Sequence, residues 1–109
     1  MKANIIHISP YSLKEKIGKS ELQVLDVREQ YEFDYGGIPA IHIPMAEISS
    51  RINEIQHFSA ICVVCKTGKR ALAVADLLES TGLKSQIFIL EGGLEKYKEE
   101  VDDKLSLSL

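Results

Sequence analysis

The sequence predicts an α/β fold with a five-stranded, mostly parallel sheet and helices on both faces. Short apolar runs typical of strands alternate along the chain with segments of helical periodicity. Such alternation is typical of parallel sheets whose connecting helices cover both faces. The chain has 109 residues, 45% hydrophobic content and three prolines, and no linker or repeat divides it. We therefore expect a single domain over residues 1–109.

Two strands and a helix are predicted in the first quarter of the chain. Residues 4–8 form an apolar run typical of a strand, and residues 9–12 carry the Ser-Pro pair that begins a helix. The helix is predicted over residues 13–17 and ends at Gly18. Residues 22–27 form the second predicted strand.

The middle of the chain contains a polar cluster, a turn and a third strand. The second strand ends in the polar residues 26–34, and the glycines and proline of residues 36–39 predict a turn. Residues 41–43 predict a brief strand. Residues 45–55 carry apolar side chains at positions 45, 48, 52 and 55, a spacing that predicts a helix.

Two strands and two helices are predicted in the second half. The β-branched run Ala60–Val64 is the fourth strand, and Lys69–Ser80 has the apolar spacing of a helix. Gly82 is placed to end that helix. Residues 85–90 form the fifth strand, and the last helix follows over residues 94–101.

Composition and charge restrict the kind of partner. The net charge is -3 and the pI is about 5.6, which argues against a nucleic-acid groove. The N-terminus has no apolar leader segment and no run of 18 apolar residues occurs, so no membrane partner is expected. Two cysteines favour a reducing compartment, and we expect the protein to be cytoplasmic. Residues 102–109 are expected to form a loosely held C-terminal tail.

Cys65 directly follows the fourth predicted strand and opens a loop that contains a glycine and three cationic residues. In parallel α/β folds, such a position between a strand and a helix forms anion-binding sites. The backbone N–H groups of the loop and the helix dipole stabilise negative charge. We therefore expect the Cys65 thiol to ionise more readily than a free cysteine and to act as a nucleophile without an adjacent histidine.

Cys62 is predicted to be a core residue, because it lies inside the apolar strand. Its spacing from Cys65 has the C-x-x-C form of a redox dithiol or of half a zinc site. Three extended residues span about 10 Å, and an odd offset places the two side chains on opposite sheet faces. A disulfide is therefore not expected. The chain has no second C-x-x-C pair, and we expect no metal site.

Four segments together resemble the single-domain rhodaneses. They are residues 63–71 (the active-site loop), 26–32 (the Asp-Val-Arg signature), 37–44 (the Gly-His-Ile-Pro segment) and 90–93 (the C-terminal signature). Arg70 follows Cys65 by five positions, as in that family. Gly37 stands where the family usually has histidine, and Tyr97 stands in the place of a common tryptophan.

The resemblance implies a rhodanese-like fold and a sulfurtransferase activity. Cys65 would take the outer sulfur of a small anionic donor such as thiosulfate, become a persulfide, and pass that sulfur to a thiophilic acceptor such as cyanide. No cofactor beyond this covalent persulfide is implied. The rest of the loop would bind the donor through Lys66, Thr67, Gly68, Lys69 and Arg70.

Asp26 and Arg28 are predicted to support the site without reacting. Asp26 ends the second strand and would be a buried or half-buried carboxylate that orients the loop or an arginine. The alternative for Asp26 is a plain turn acid. Arg28, two residues after Asp26, is assigned the same supporting role.

Three alternatives stay open. A cysteine phosphatase uses a related loop, but it places five residues between its cysteine and arginine, whereas four separate Cys65 from Arg70. A non-catalytic rhodanese-like module of a larger protein would usually lack the cysteine. The loop and residues 91–102 also resemble the rhodanese domains fused to adenylylating enzymes of the molybdopterin and thiamine pathways. That resemblance implies a ubiquitin-like sulfur-carrier protein as acceptor and an adenylylating domain as partner.

Overall fold

The computed structural model describes residues 5–108 and confirms the predicted α/β fold. The elements in chain order are β1 (Ile5–Ile8), α1 (Pro10–Gly18), β2 (Gln23–Asp26), α2 (Gln30–Tyr35), β3 (Ile41–His42), β4 (Ala60–Val64), α3 (Lys69–Ser80), β5 (Gln86–Leu90) and α4 (Gly93–Val101). The strands lie in the order β1-β5-β4-β2-β3, and each of the four pairings is parallel. Among residues 5–108, no helix has both the length and the apolar character needed to cross a membrane.

The sheet has an apolar core on each face, because successive side chains of a strand point to opposite sides. The core under α3 includes the buried side chains of Leu25, Ile61, Val63, Ile87, Val74 and Leu78. The core under α1 and α4 includes those of Ile8, Leu13, Val24, Cys62, Val64 and Leu94. Helices therefore cover both faces, as predicted.

Local signals at the helix ends act as the sequence indicates. The Ser9 hydroxyl accepts a hydrogen bond from the N–H of Ser12 (3.1 Å), and Pro10 occupies the first position of α1. Gly82 follows α3 with a φ of 79°, the left-handed conformation that ends many helices. Strand β4 and helix α3 have the predicted bounds, so the two elements on either side of Cys65 are correct. Asn4, the predicted start of the first strand, lies outside the described residues.

The helix predicted over residues 45–55 is wrong. Two short 3₁₀ helices, Met45–Glu47 and Ile52–Glu54, occupy this segment. Ser50 lies between them, and its hydroxyl donates to the carbonyl of Glu47 (3.1 Å). Serine side chains compete in this way with helical backbone hydrogen bonds. The apolar spacing correctly indicates that Ile48 and Ile55 are buried, but the backbone between them is not one continuous helix.

Helix α2 lies inside the segment read from sequence as a polar cluster. Its start has the capping-box spacing: the N–H of Glu29 donates to the Glu32 carboxylate (3.0 Å), and the N–H of Glu32 donates to the carbonyl of Glu29 (3.1 Å). Six mostly polar residues carry no clear apolar period, so hydrophobic spacing does not reveal this helix.

The C-terminal segment packs against the core under α1 and α4, so the expectation of a loosely held tail is wrong for residues 102–108. Leu105 is only 8% exposed and joins that core, and Leu107 packs against it. The backbone of Ser106 lies so close to Gly36 that a side chain at position 36 would overlap it. Apolar residues at alternate positions therefore anchor the segment. Leu109 lies outside the described residues.

Candidate active site

Cys65 is the first residue after β4, and its side chain is fully buried. The Sγ atom accepts hydrogen bonds from the backbone N–H groups of Gly68 (3.1 Å) and Ala71 (3.4 Å). The N–H of Ala71 belongs to the first turn of α3, where N–H groups lack partners within the helix. Because these donors and the positive end of the helix dipole face Sγ, the site stabilises an anionic sulfur.

The loop after Cys65 is held on its other side by α4. The carbonyl of Cys65 accepts from the N–H of Leu94 (2.8 Å), and the carbonyl of Lys66 accepts from the N–H of Glu95 (3.0 Å). Gly68 has a φ of 105°, a conformation that glycine adopts without strain, and it leads directly into α3. The first turns of two helices therefore fix the loop.

Gly93 lets α4 approach the loop closely. It is buried and has a φ of 68°, in the left-handed region. A Cβ atom at this position would overlap the carbonyl of Lys66 and lie 2.6 Å from the nitrogen of Thr67. Only glycine satisfies both the backbone conformation and the contact.

Arg70 is paired with Glu32, a residue 38 positions away. The guanidinium donates to both carboxylate oxygens, Nη1 to Oε1 (2.6 Å) and Nη2 to Oε2 (3.0 Å). The hydrogen bond from Arg70 lowers the pKa of the Glu32 carboxyl, against burial, which raises it. The pKa of Arg70 is raised, chiefly by the same hydrogen bond. Arg70 was predicted to bind the donor, but in this structure its terminal nitrogens hold the loop against α2.

Replacement of Glu32 by glutamine is expected to weaken both stability and sulfur transfer. The amide can still form the capping box, so the change removes mainly the charge that holds Arg70. We expect a loss of about 1–2 kcal/mol in unfolding free energy and a decrease of roughly tenfold in kcat/KM. Urea unfolding and steady-state kinetics measure the two effects.

The stability difference between wild type and Glu32→Gln should depend on pH. The lowered pKa of folded Glu32 means that its contribution is complete above the ordinary carboxyl pKa of 4.5. The contribution is lost as pH falls through the folded pKa, because protonation removes the charge. The comparison variant is Glu54→Gln: a hydrogen bond from Arg51 also lowers the pKa of Glu54, but water screens that exposed pair, so its pH-dependent contribution should be much smaller. A difference between wild type and Glu32→Gln that persists in full well below pH 4.5 would contradict the assignment.

Asp26 and Arg28 form a fully buried ion pair at the end of β2. Arg28 donates from Nε to Oδ1 (3.0 Å) and from Nη2 to Oδ2 (2.7 Å) of Asp26. It also donates to the carbonyl of Glu32 within α2 (3.4 Å) and to that of Gly36 at the C-cap of the helix (2.8 Å). Asp26 thus orients an arginine, one of the roles predicted for it. The pair supports α2, which carries the partner of Arg70.

The remaining loop residues line the surface above Cys65. Lys66 is partly exposed, and its Nζ lies 3.9 Å from the Glu95 carboxylate. Thr67 and Lys69 are exposed. Lys69 has no ion-pair partner among residues 5–108. The structure therefore gives the three loop cations three different environments.

Cys62 lies on the opposite face of the sheet from Cys65, as predicted. Its thiol is fully buried in the core under α1 and α4, and burial raises its pKa. Both cysteines are free thiols. Within residues 5–108, no group of three or more His, Cys, Asp or Glu side chains is arranged to hold a metal ion.

The family of the chain follows from a match to known sequences. Residues 9–100 match the rhodanese-like domain, so the match covers most of the chain and includes the Cys65 loop, Asp26, Arg28 and Glu32. The chain belongs to the rhodanese-like domain family. This is a family of the sulfurtransferase type.

Relatives of this rhodanese-like domain include proteins connected with sulfur by name. YrkF of Bacillus subtilis, a candidate sulfur carrier protein, is 34% identical over 92 residues, which cover 83% of this chain and 50% of YrkF. The chain therefore spans half the length of that relative. The structure of a rhodanese-related protein from Thermoplasma volcanium has a TM-score of 0.78 at 31% identity and covers 88% of this chain and 93% of its own. A NAD-dependent persulfide reductase from A. fulgidus has a TM-score of 0.64 at 34% identity, over 82% of this chain and 15% of its own.

Gly37, which stands where the family usually has histidine, lies directly beside the buried ion pair. A Cβ atom at this position would overlap Nη2 of Arg28 and lie 3.6 Å from Oδ2 of Asp26. The guanidinium of Arg28 therefore occupies the space that a side chain at position 37 needs. Histidine does not fit here without displacement of the buried ion pair.

Three site residues of the rhodanese-like domain were not found from the sequence. Glu32 pairs with Arg70, Gly93 lies against the loop backbone, and Glu95 lies beside Lys66. The capping-box spacing of Glu29 and Glu32 signals a helix start at the site. The Gly-Gly pair was recognised as part of a signature, but its contact with the loop has no local signal.

Proposed function

We propose that this rhodanese-like domain is a sulfurtransferase that carries sulfane sulfur as a persulfide on Cys65. The observation that carries the proposal is the pair of backbone donors on Sγ, from Gly68 and Ala71. A nucleophile that becomes an anionic persulfide needs hydrogen-bond donors in both states. The N–H groups of Lys69 and Arg70 lie in the same first turn and have no acceptor among residues 5–108. They are suited to hold the added sulfur.

The first half-reaction transfers sulfur to the protein. The Cys65 thiolate attacks the outer sulfur of thiosulfate and forms a new S–S bond, while the S–S bond of the donor breaks and its electron pair leaves with sulfite. The products are the Cys65 persulfide anion and sulfite, and no proton or external electron is required. The backbone donors stabilise the anionic sulfur on both sides of this step.

The second half-reaction returns the thiolate. A nucleophile such as cyanide attacks the outer persulfide sulfur, and the electron pair of the breaking S–S bond returns to Sγ of Cys65. Thiocyanate leaves and the thiolate is ready for the next donor. Because the first product leaves before the acceptor reacts, we expect ping-pong kinetics.

The loop residues have distinct proposed roles. Lys66 and Lys69 attract an anionic donor, because their charged groups are at least partly exposed at the loop. Thr67 lies exposed between them and completes the donor-binding surface. Gly68 supplies a backbone donor to Sγ. Arg70 positions the loop through Glu32.

The same geometry weighs against the alternatives. A phosphatase loop uses its arginine to hold phosphate oxygens, but both terminal nitrogens of Arg70 donate to Glu32 and aim the guanidinium at that carboxylate. A non-catalytic module has no use for two backbone donors on a buried cysteine. Sulfur transfer accounts for both observations.

The physiological partners are proposed from sequence resemblance. A small anionic donor fits the cationic loop, and a ubiquitin-like sulfur-carrier protein or an adenylylating domain is the proposed protein partner. The two free cysteines suit the reducing cytoplasm, where we place the protein. Transfer of labelled sulfur from Cys65 to a purified carrier protein measures the acceptor proposal directly.

Intact-mass analysis after incubation with thiosulfate tests the proposed function. The wild-type protein is expected to gain the mass of one sulfur atom and to lose it on addition of cyanide. Cys65→Ser should gain nothing, whereas the control Cys62→Ala should behave as wild type because its thiol lies on the other face. A wild-type protein without an adduct, or an adduct that survives Cys65→Ser, would overturn the proposal.

A further inference from the structure

The charges around the Cys65 loop are largely balanced by two carboxylates. Arg70 is paired with buried Glu32, and Lys66 lies beside exposed Glu95. Lys69 has no such partner among residues 5–108. Three cations and two carboxylates leave a net charge of about +1 at the loop, although the loop sequence alone contains three positive charges and no negative one.

Glu95 is fixed close to the nucleophile by the backbone. Its N–H donates to the carbonyl of Lys66 (3.0 Å), and the preceding N–H, of Leu94, donates to the carbonyl of Cys65 (2.8 Å). Its Oε2 lies 3.9 Å from Nζ of Lys66. The carboxylate therefore stands next to the residue that follows the reactive cysteine.

The fold has little need for this carboxylate. The side chains of Lys66 and Glu95 are 26% and 53% exposed, and exposed ion pairs contribute little to stability. Glu95 also lies in the first turn of α4, where an acidic residue is mildly favourable. Neither effect cancels the negative charge of Glu95, which an anionic donor meets as it approaches the loop. That charge opposes the attraction of Lys66 and Lys69.

We propose that Glu95 is a specificity-determining residue that selects against highly charged sulfur donors. The inference rests on the proposed sulfurtransferase function and adds the charge class of the donor. The carboxylate repels a dianion about twice as strongly as a monoanion, because Coulomb energy is proportional to charge. The presence of Glu95 therefore weakens the binding of thiosulfate more than it weakens the binding of a monoanionic sulfur donor. The bonds formed and broken are the same for either donor.

Steady-state kinetics with two donors of different charge test the proposal. Thiosulfate is a dianion, and benzenethiosulfonate is a monoanion that leaves as benzenesulfinate after its outer sulfur passes to Cys65. At low ionic strength, Glu95→Gln is expected to lower KM for thiosulfate about fivefold and KM for benzenethiosulfonate about twofold. These values assume a distance of roughly 8 Å in water between the Glu95 carboxylate and the charge of the bound donor. kcat should be unchanged. Both effects should disappear near 1 M salt, where the screening length is roughly 3 Å.

Two further variants separate charge from structure. Glu95→Asp keeps the charge and should retain the wild-type preference between the donors. Glu54→Gln removes another exposed, ion-paired carboxylate, which lies before the start of β4 and is separated from Cys65 by that strand. It should leave both KM values unchanged.

The outcomes distinguish the inference from the function on which it rests. An unchanged KM for thiosulfate in Glu95→Gln, an equal effect on the two donors, or an effect that persists at high salt would overturn the role of Glu95 alone. A wild-type protein that gains no sulfur on Cys65 from either donor would overturn the proposed function and this inference with it.

Discussion

Replacement of Gly93 by alanine is expected to lower kcat/KM for sulfur transfer by about 100-fold and to destabilise the fold by about 2–4 kcal/mol. The added Cβ would overlap the carbonyl of Lys66, the residue after the nucleophile. Relief of the overlap must move either α4 or the loop, since Gly93 is buried between them. Either movement disturbs the hydrogen bonds that hold the carbonyls of Cys65 and Lys66.

The loss of activity should exceed what the loss of stability explains. The backbone donors on Sγ come from the same loop, so a shift of about 1 Å changes the geometry that the reacting sulfur experiences. Thiosulfate to cyanide kinetics at a temperature where the variant remains folded measure the activity. Urea unfolding measures the stability.

Gly82→Ala is the matched control for Gly93→Ala. Gly82 has a similar φ of 79°, but no heavy atom beyond its chain neighbours lies within 4 Å of the position of an added Cβ. The control therefore carries the strain of a left-handed alanine, about 1 kcal/mol, without a collision and far from the loop. Equal kcat/KM and equal stability for the two variants would contradict the role assigned to Gly93.

The elements beside Cys65 could be predicted because their signals are local. Strand β4 is a continuous apolar run, and α3 has a clear helical period followed by Gly82. The segment over residues 45–55 shows the limit of the same reasoning. Ile48 and Ile55 are buried as the spacing requires, but periodicity reports which side chains face the core and does not report the backbone hydrogen bonds.

The candidate site could be predicted only in part for a similar reason. The position of Cys65 and the donors of its loop follow from one contiguous stretch of strand, glycine and helix. The partner of Arg70 lies 38 residues away in the sequence. The hydrogen bonds from the start of α4 to the carbonyls of Cys65 and Lys66 also join segments that are far apart in the sequence. The sequence therefore predicted that three cationic side chains bind the donor, whereas in the structure Arg70 pairs with Glu32 and holds the loop.

Replacement of Arg28 by methionine is expected to destabilise the fold by about 3–5 kcal/mol. The change leaves the fully buried Asp26 carboxylate without its charged partner. It also removes the donors to the carbonyls of Glu32 and Gly36. Unpaired buried charge is far more costly than a lost surface contact, so thermal or urea unfolding should detect the change readily.

Arg51→Met supplies the contrast, because Arg51 has equally short contacts with Glu47 (2.8 Å) and Glu54 (2.7 Å) but lies at the surface. Water and salt screen that pair, so its loss should change stability little. The double variant Asp26→Asn/Arg28→Met should recover about 1–2 kcal/mol relative to Arg28→Met, since the buried charge is gone and the amide can still accept from the backbone N–H of residue 28. If Arg28→Met were as stable as Arg51→Met, the buried pair would have no part in holding α2. Because α2 carries Glu32, kcat/KM of Arg28→Met at a temperature where the variant remains folded measures how strongly the Cys65 loop depends on the buried pair.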